Sequence, residues 1–252
     1  MSDPEYPSFL EPAPLDTGSV GVRARVMAVV DILLCSDVPT QMAIATLLRA
    51  VGVRPTTGAG VLSLTFVTLL SALDTVVLVG LMTALLLARG ERPGHVWLGR
   101  PRPVRDILLG LASVPVLFLV VGALMAGLRL LVPAVHNIER NPLEQLVTRP
   151  ERAMVFGMVA IVAGGLREEL QRAFLLTRFE RYLGGTGVGV VVLSVAFGLG
   201  HLMQGIDAAI ATGTLGLFWA LVYVRRRSTV APVVSHAGFN ALEVFRAVLM
   251  GG

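Results

Sequence analysis

The chain has 252 residues, 54% of them hydrophobic and 15% charged, with a mean hydropathy of +0.75; a soluble domain carries about 25% charged residues. Cores built by one or two domains of about 150 residues cannot hide that much apolar surface without large exposed patches, so a multi-spanning membrane protein is expected and most soluble-enzyme readings are excluded. The one cysteine, Cys35, excludes an intrachain disulfide and a cysteine-based metal or redox site, and the formal net charge of +4 rests on arginine, since lysine is absent.

A spanning helix needs about 20 largely apolar residues, because backbone polar groups in lipid must be satisfied within the segment. Residues 1–25 are rich in acid and proline, lack the basic start and cleavage site of a signal peptide, and read as a flexible cytoplasmic tail. The first apolar run, 26–50, is interrupted by Asp31, Ser36, Asp37 and Pro39, which predicts a kinked or split helix. Runs 61–88 and 106–131 follow, separated by a proline- and arginine-rich loop, and complete an N-terminal transmembrane part over 26–150. A polar connection, 133–150, leads into a second part, 151–252, with runs at 152–181, 188–203, 208–224 and 230–249. The expected fold is an all-α, polytopic membrane helix bundle of about seven transmembrane helices, six to eight being compatible with the hydropathy.

Basic loops stay cytoplasmic. With the N-terminus inside, twelve arginines fall on that side and seven on the other, and the clusters at 89–105 and 225–227 share the inner side. This predicts a multi-pass protein of the cell membrane with a cytoplasmic N-terminus.

An ionisable side chain in mid-span costs at least about 2.5–3.5 kcal/mol on insertion scales, yet the fourth run holds Arg167, Glu168, Glu169 and Arg172 within six positions. Glu168 and Arg172 are four apart and Glu169 and Arg172 three apart, the spacings at which helical side chains meet. A packing ion pair accounts for one glutamate; the second needs another partner. Further along, Phe197 and His201 close a glycine-rich run, and His236 and Asn240 share one helix face. At 1.5 Å per residue, Glu168, His201 and His236 lie roughly 15, 20 and 9 Å from the cytoplasmic surface, and helix tilts of about 20° bring them closer in depth. One polar cavity open toward the cytoplasm is expected.

Two imidazoles, His201 and His236, with the Glu168 carboxylate suit Zn2+ with a position left for water, whose pKa the metal lowers toward about 7. The second carboxylate can then serve as general base, and the Asn240 amide can donate to an oxyanion. Without metal, a glutamate and a histidine can orient and deprotonate water directly. Both routes end in amide hydrolysis inside a membrane. The HExxH, GxSxG and P-loop signatures are absent.

A glutamate pair followed by arginine, then FxxxH, then HxxxN, on separate membrane helices, resembles the CPBP intramembrane protease family, which includes the Rce1-type CAAX prenyl endopeptidases and many bacterial relatives. The resemblance covers about residues 164–247. It implies a membrane-associated peptide or protein substrate, prenylated or not, a lipid bilayer as surroundings and no nucleic-acid partner. It further implies that Glu168 activates water with Glu169 and Arg172 in support, that His201 and His236 hold the water or a metal, and that Asn240 stabilises the oxyanion. The family's EExxxR spacing is one residue shorter here. Registering on the glutamates keeps the catalyst; registering on Arg172 puts Arg167 in its slot and implies an inactive family member. The rival of another class is a proton-coupled transporter using Asp31, Asp37 and Asp74, although no internal repeat supports it. Asp74 also stands within reach of Ser71 and Thr75 for local satisfaction.

Overall fold

Each apolar run becomes helical; the run 26–50 breaks ahead of Pro39 and the run 152–181 widens at Gly164-Gly165, while the run 106–131 carries Pro115 without a break. The computed structural model describes residues 20–99, 102–139 and 141–250. Most of the expected tail lies outside them, as do Arg100 and Arg140 of the arginine balance. The elements are α1 (Val22–Leu34), α2 (Val38–Ala50), α3 (Leu64–Ala88), the short α4 (Pro93–Trp97), α5 (Pro103–Leu131), α6 (Pro150–Val159), a π-helical stretch (Ala160–Arg167), α7 (Glu168–Tyr182), α8 (Thr186–Leu199), α9 (Ile206–Arg226) and α10 (Val230–Met250). No strand occurs among the described residues, only an isolated bridge between Thr56 and Leu62. Four segments are long and apolar enough to cross a membrane, Val22–Ala50, Leu64–Ala88, Pro103–Leu131 and Ile206–Arg226. Thr186–Leu199 is apolar but shorter.

The first run splits as its sequence predicts, and the helix begins earlier, at Val22, within the expected tail. Pro39 has no N–H to return to the Cys35 carbonyl four residues back. That carbonyl instead accepts from Gln171 Nε2 of α7 at 2.6 Å. Asp37 takes the turn at φ 70°, a left-handed conformation that short polar side chains tolerate better than most.

On α3, Asp74, Leu78, Met82 and Leu86 recur every fourth residue and form one buried stripe. Leu78, Met82 and Leu86 pack with Cys35, Phe174 and Leu176. Because Asp74 belongs to that stripe, it faces across the bundle. The expectation that Ser71 and Thr75 satisfy it is therefore corrected: Thr75 donates to the Ser71 carbonyl at 2.7 Å, while Asp74 receives Thr40 of α2 at 2.5 Å. Asp31 is met by Arg89 at 2.8 Å and Arg178 at 2.9 Å.

The arginine-rich loops gather at one end, where Tyr223 donates to the Val96 carbonyl at 2.8 Å and Thr229 to that of Trp97. At the other end, His136 meets Asp207 at 2.7 Å and Asn141 donates to Gln204 at 3.0 Å. Between these ends α10 packs on α5 and on the π-helical stretch, with α8 and α9 paired beside α7.

Lipid offers little hydrophobic drive between helices, so close backbone approach through small residues carries much of the packing. α10 meets the π-helical stretch at Gly164-Gly165: a Cβ on Gly165 would stand 2.6 Å from the Ala237 Cβ and 2.8 Å from its Cα. Relief requires the backbones to part, and overpacking of this kind costs about 1–3 kcal/mol. Gly165→Ala is therefore expected to lower the thermal unfolding midpoint in detergent; an unchanged midpoint would contradict this packing.

Candidate active site

Glu168 and Glu169 open α7 where the helix returns from π to α geometry. The site lies near the middle of the longest helical run, about 27 Å along the axis from Pro150 and about 21 Å from Tyr182 at 1.5 Å per residue. π-helical turns are rare and concentrate at functional sites. Here the wider turn presents the Ala160 carbonyl to α10, where it accepts from Asn240 Nδ2 at 2.9 Å. A Cβ on Gly164 would lie 2.5 Å from that amide nitrogen and 3.9 Å from His236 Nε2, so the missing side chain is the space in which Asn240 and His236 face α7.

The two glutamates have different surroundings. Glu169 is buried; one of its oxygens takes both Arg172 and His236 Nδ1, the latter at 2.8 Å. With a carboxylate on Nδ1, the imidazole keeps its proton there and presents the Nε2 lone pair, because the partner of one ring nitrogen sets the role of the other. The ring is fixed from its face by Trp219, stacked with centroids 3.7 Å apart, and Trp219 Nε1 donates to Ser235 at 3.0 Å. Arg172 lies 4.7 Å over the Phe197 ring, which suits a desolvated guanidinium.

Glu168 is 19% exposed. Its Oε1 accepts from Arg167 Nη2 at 3.3 Å, and its Oε2 stands 3.9 Å from His236 Nε2. That separation is too long for a direct hydrogen bond and fits one water accepted by both groups.

Five of the six residues predicted for the site thus come together: Glu168, Glu169, Arg172, His236 and Asn240. His201 lies beside them without touching them. It is not in a helix, as the run 188–203 suggested, because α8 ends at Leu199 and His201 occupies the tightened turn after it. Its N–H bonds the Gly198 carbonyl three residues back, and Gly205 reverses the chain at φ 122°. His201 Nδ1 donates to the Phe197 carbonyl at 2.8 Å, leaving Nε2 free, and the Phe197 ring stands between the imidazoles, edge-on to both. This placement separates the expected zinc ligands, His201, His236 and Glu168. Among the described residues no group of three or more His, Cys, Asp or Glu is arranged to hold a metal ion.

Sequence reasoning missed Trp219, which carries no spacing signal, and the partners of Arg167. That guanidinium is buried; it pairs with Asp37 and approaches Asp74 at 3.4 Å. Residues 150–242 match the family model described as type II CAAX prenyl endopeptidase Rce1-like. No curated protein and no solved structure matches the chain.

Removing one partner of a buried ion pair strands the other at a cost of about 3–5 kcal/mol. Glu169→Ala should destabilise the fold by that order in thermal unfolding, and Glu169→Leu combined with Arg172→Met should recover most of the loss. A Glu169→Ala protein as stable as wild type would show that Arg172 does not depend on it.

Proposed function

We propose that this chain, whose residues 150–242 match the Rce1-like family model, is an intramembrane endopeptidase that cleaves a peptide bond of a membrane-associated substrate with a glutamate-activated water. The observation that carries the reading is the opposition of Glu168 Oε2 and His236 Nε2 across 3.9 Å. Both groups are acceptors, so a water between them directs its two hydrogens to them and its lone pairs outward.

Attack on the carbonyl carbon forms the C–O bond while Glu168 takes the proton, and the Asn240 amide, with one N–H engaged by Ala160, offers the other to the oxyanion. Collapse breaks the C–N bond, and protonated Glu168 returns its proton to the leaving amine, giving a carboxylate and an amine. Glu169 fixes the tautomer and orientation of His236, the part a buried carboxylate plays in hydrolytic triads. His201 borders the accessible side and orients substrate or water through Nε2. The arginine distribution supports a cytoplasmic N-terminus, and with it a site that opens toward the cytoplasm.

Purified protein in lipid vesicles with membrane-anchored peptides tests this. Glu168→Gln should lower the cleavage rate by at least about 10²-fold, the lower range for losing a general base, and Glu169→Gln should cost less. His201→Ala and His236→Ala should abolish cleavage while expression and insertion persist, and a metal chelator should leave the rate unchanged. An inactive wild type with activity gained by Arg167→Glu would sink the glutamate register; loss to a chelator with recovery on adding zinc would sink the metal-free form.

A further inference from the structure

Arg167 takes no step in the proposed hydrolysis, although it is the most heavily engaged cation beside the site. Its Nη1 bonds Asp37 and lies 3.4 Å from Asp74 Oδ2, while its Nη2 donates to Glu168 Oε1 at 3.3 Å. Both aspartates are themselves held. Asp37 Oδ1 also accepts from Gln171 Nε2 at 3.0 Å. Asp74 Oδ1 accepts from Thr40 at 2.5 Å. Neutralising one guanidinium requires one carboxylate, and Asp37 alone would supply it. The second aspartate and the ties behind both fix the direction of the guanidinium fork as well as its charge.

We propose that Arg167 is a positioning residue for Glu168, aimed by Asp37 and Asp74, so that the N-terminal helices, outside the family-matched residues 150–242, complete the active site. Resting on the proteolytic reading, the inference works through the carboxylate's two oxygens. Arg167 holds Oε1, which fixes the carboxylate plane and leaves Oε2 to face His236 Nε2. A planar guanidinium can give one nitrogen to the aspartates and the other to Glu168 in a set geometry; an ammonium supplies the same charge from a single point. Asp37 sits at the α1–α2 break, so the split in the first apolar run delivers a carboxylate to the catalytic helix.

The test is steady-state kinetics in vesicles on wild type, Arg167→Lys, Asp74→Asn and the double variant, with thermal midpoints measured in parallel. Arg167→Lys keeps the charge and loses the fork. It should keep its midpoint and its KM to within about threefold while kcat falls at least about tenfold, since displacing a reacting group by about 1 Å costs up to about 10²-fold. Asp74→Asn should lower kcat in the same way. The double variant should fall no further than the worse single one, as coupled residues are not additive. Should Arg167→Lys fail to fold, Asp37→Asn and Asp74→Asn are read in its place. Wild-type kcat in Arg167→Lys, or in both aspartate variants, overturns the inference and leaves the proteolytic reading intact. Losses that merely follow the thermal midpoint assign the cluster to packing and overturn it as well. A wild type that cleaves nothing overturns both.

Discussion

A carboxylate inside an apolar bundle is tolerated only beside a cation, and in this chain that requirement decides which helices meet. Each buried carboxylate among the described residues has such a partner. Asp31 has Arg89 and Arg178, Asp74 has Arg167, Asp106 has Arg226, Glu169 has Arg172 and His236, and Asp207 has His136 and Arg129. Apolar packing orients these helices weakly, because lipid tails compete with side chains on equal terms. The ion pairs supply the specificity, and the residue that leaves this scheme least complete is Glu168. Its cation is shared with two aspartates, and its second oxygen faces an imidazole across a gap. A half-compensated carboxylate at the accessible edge of a compensated cluster is chemically available in a way that Glu169, enclosed by Arg172 and His236, is not.

The backbone makes the same distinction. Loss of the Pro39 N–H opens the first run at Cys35–Asp37, and α7 fills the opening with Gln171. The π-helical turn and Gly164-Gly165 let α10 approach until His236 and Asn240 reach the start of α7. Neither feature serves the continuity of its helix, and both lead to the glutamate pair. Local regularity is given up where the site is built, which is the expected place for a sequence to depart from ideal patterning.

The helix content and the grouping of most candidate site residues were legible in the sequence because both depend on short-range spacing. Glu169 with Arg172, and His236 with Asn240, are fixed by helical periodicity before any tertiary contact forms, and the Asp37-Pro39 interruption announces itself by missing hydrogen-bond capacity. What was not legible depends on contacts between distant parts of the chain. Nothing near Arg167 indicates that Asp37 is its partner, and Asp74 had plausible hydroxyl neighbours in its own helix that the buried stripe of α3 turned out to bypass. The departure of His201 from its helix was hidden because glycine-rich apolar sequence reads as a span, whereas in three dimensions the same glycines permit the turn that carries the imidazole around Phe197.

Water activated between Glu168 and His236 cleaves the peptide bond directly in the proposed reaction. Its most direct test is single-turnover cleavage of a membrane-anchored peptide by the vesicle-embedded wild type in water enriched in heavy oxygen, with mass spectrometry of both the products and the enzyme. Direct hydrolysis gives new peptide termini, one heavy oxygen in each new carboxylate and no covalent adduct on the protein at any time point. Absence of new termini, or accumulation of an acyl adduct on the chain, would contradict it.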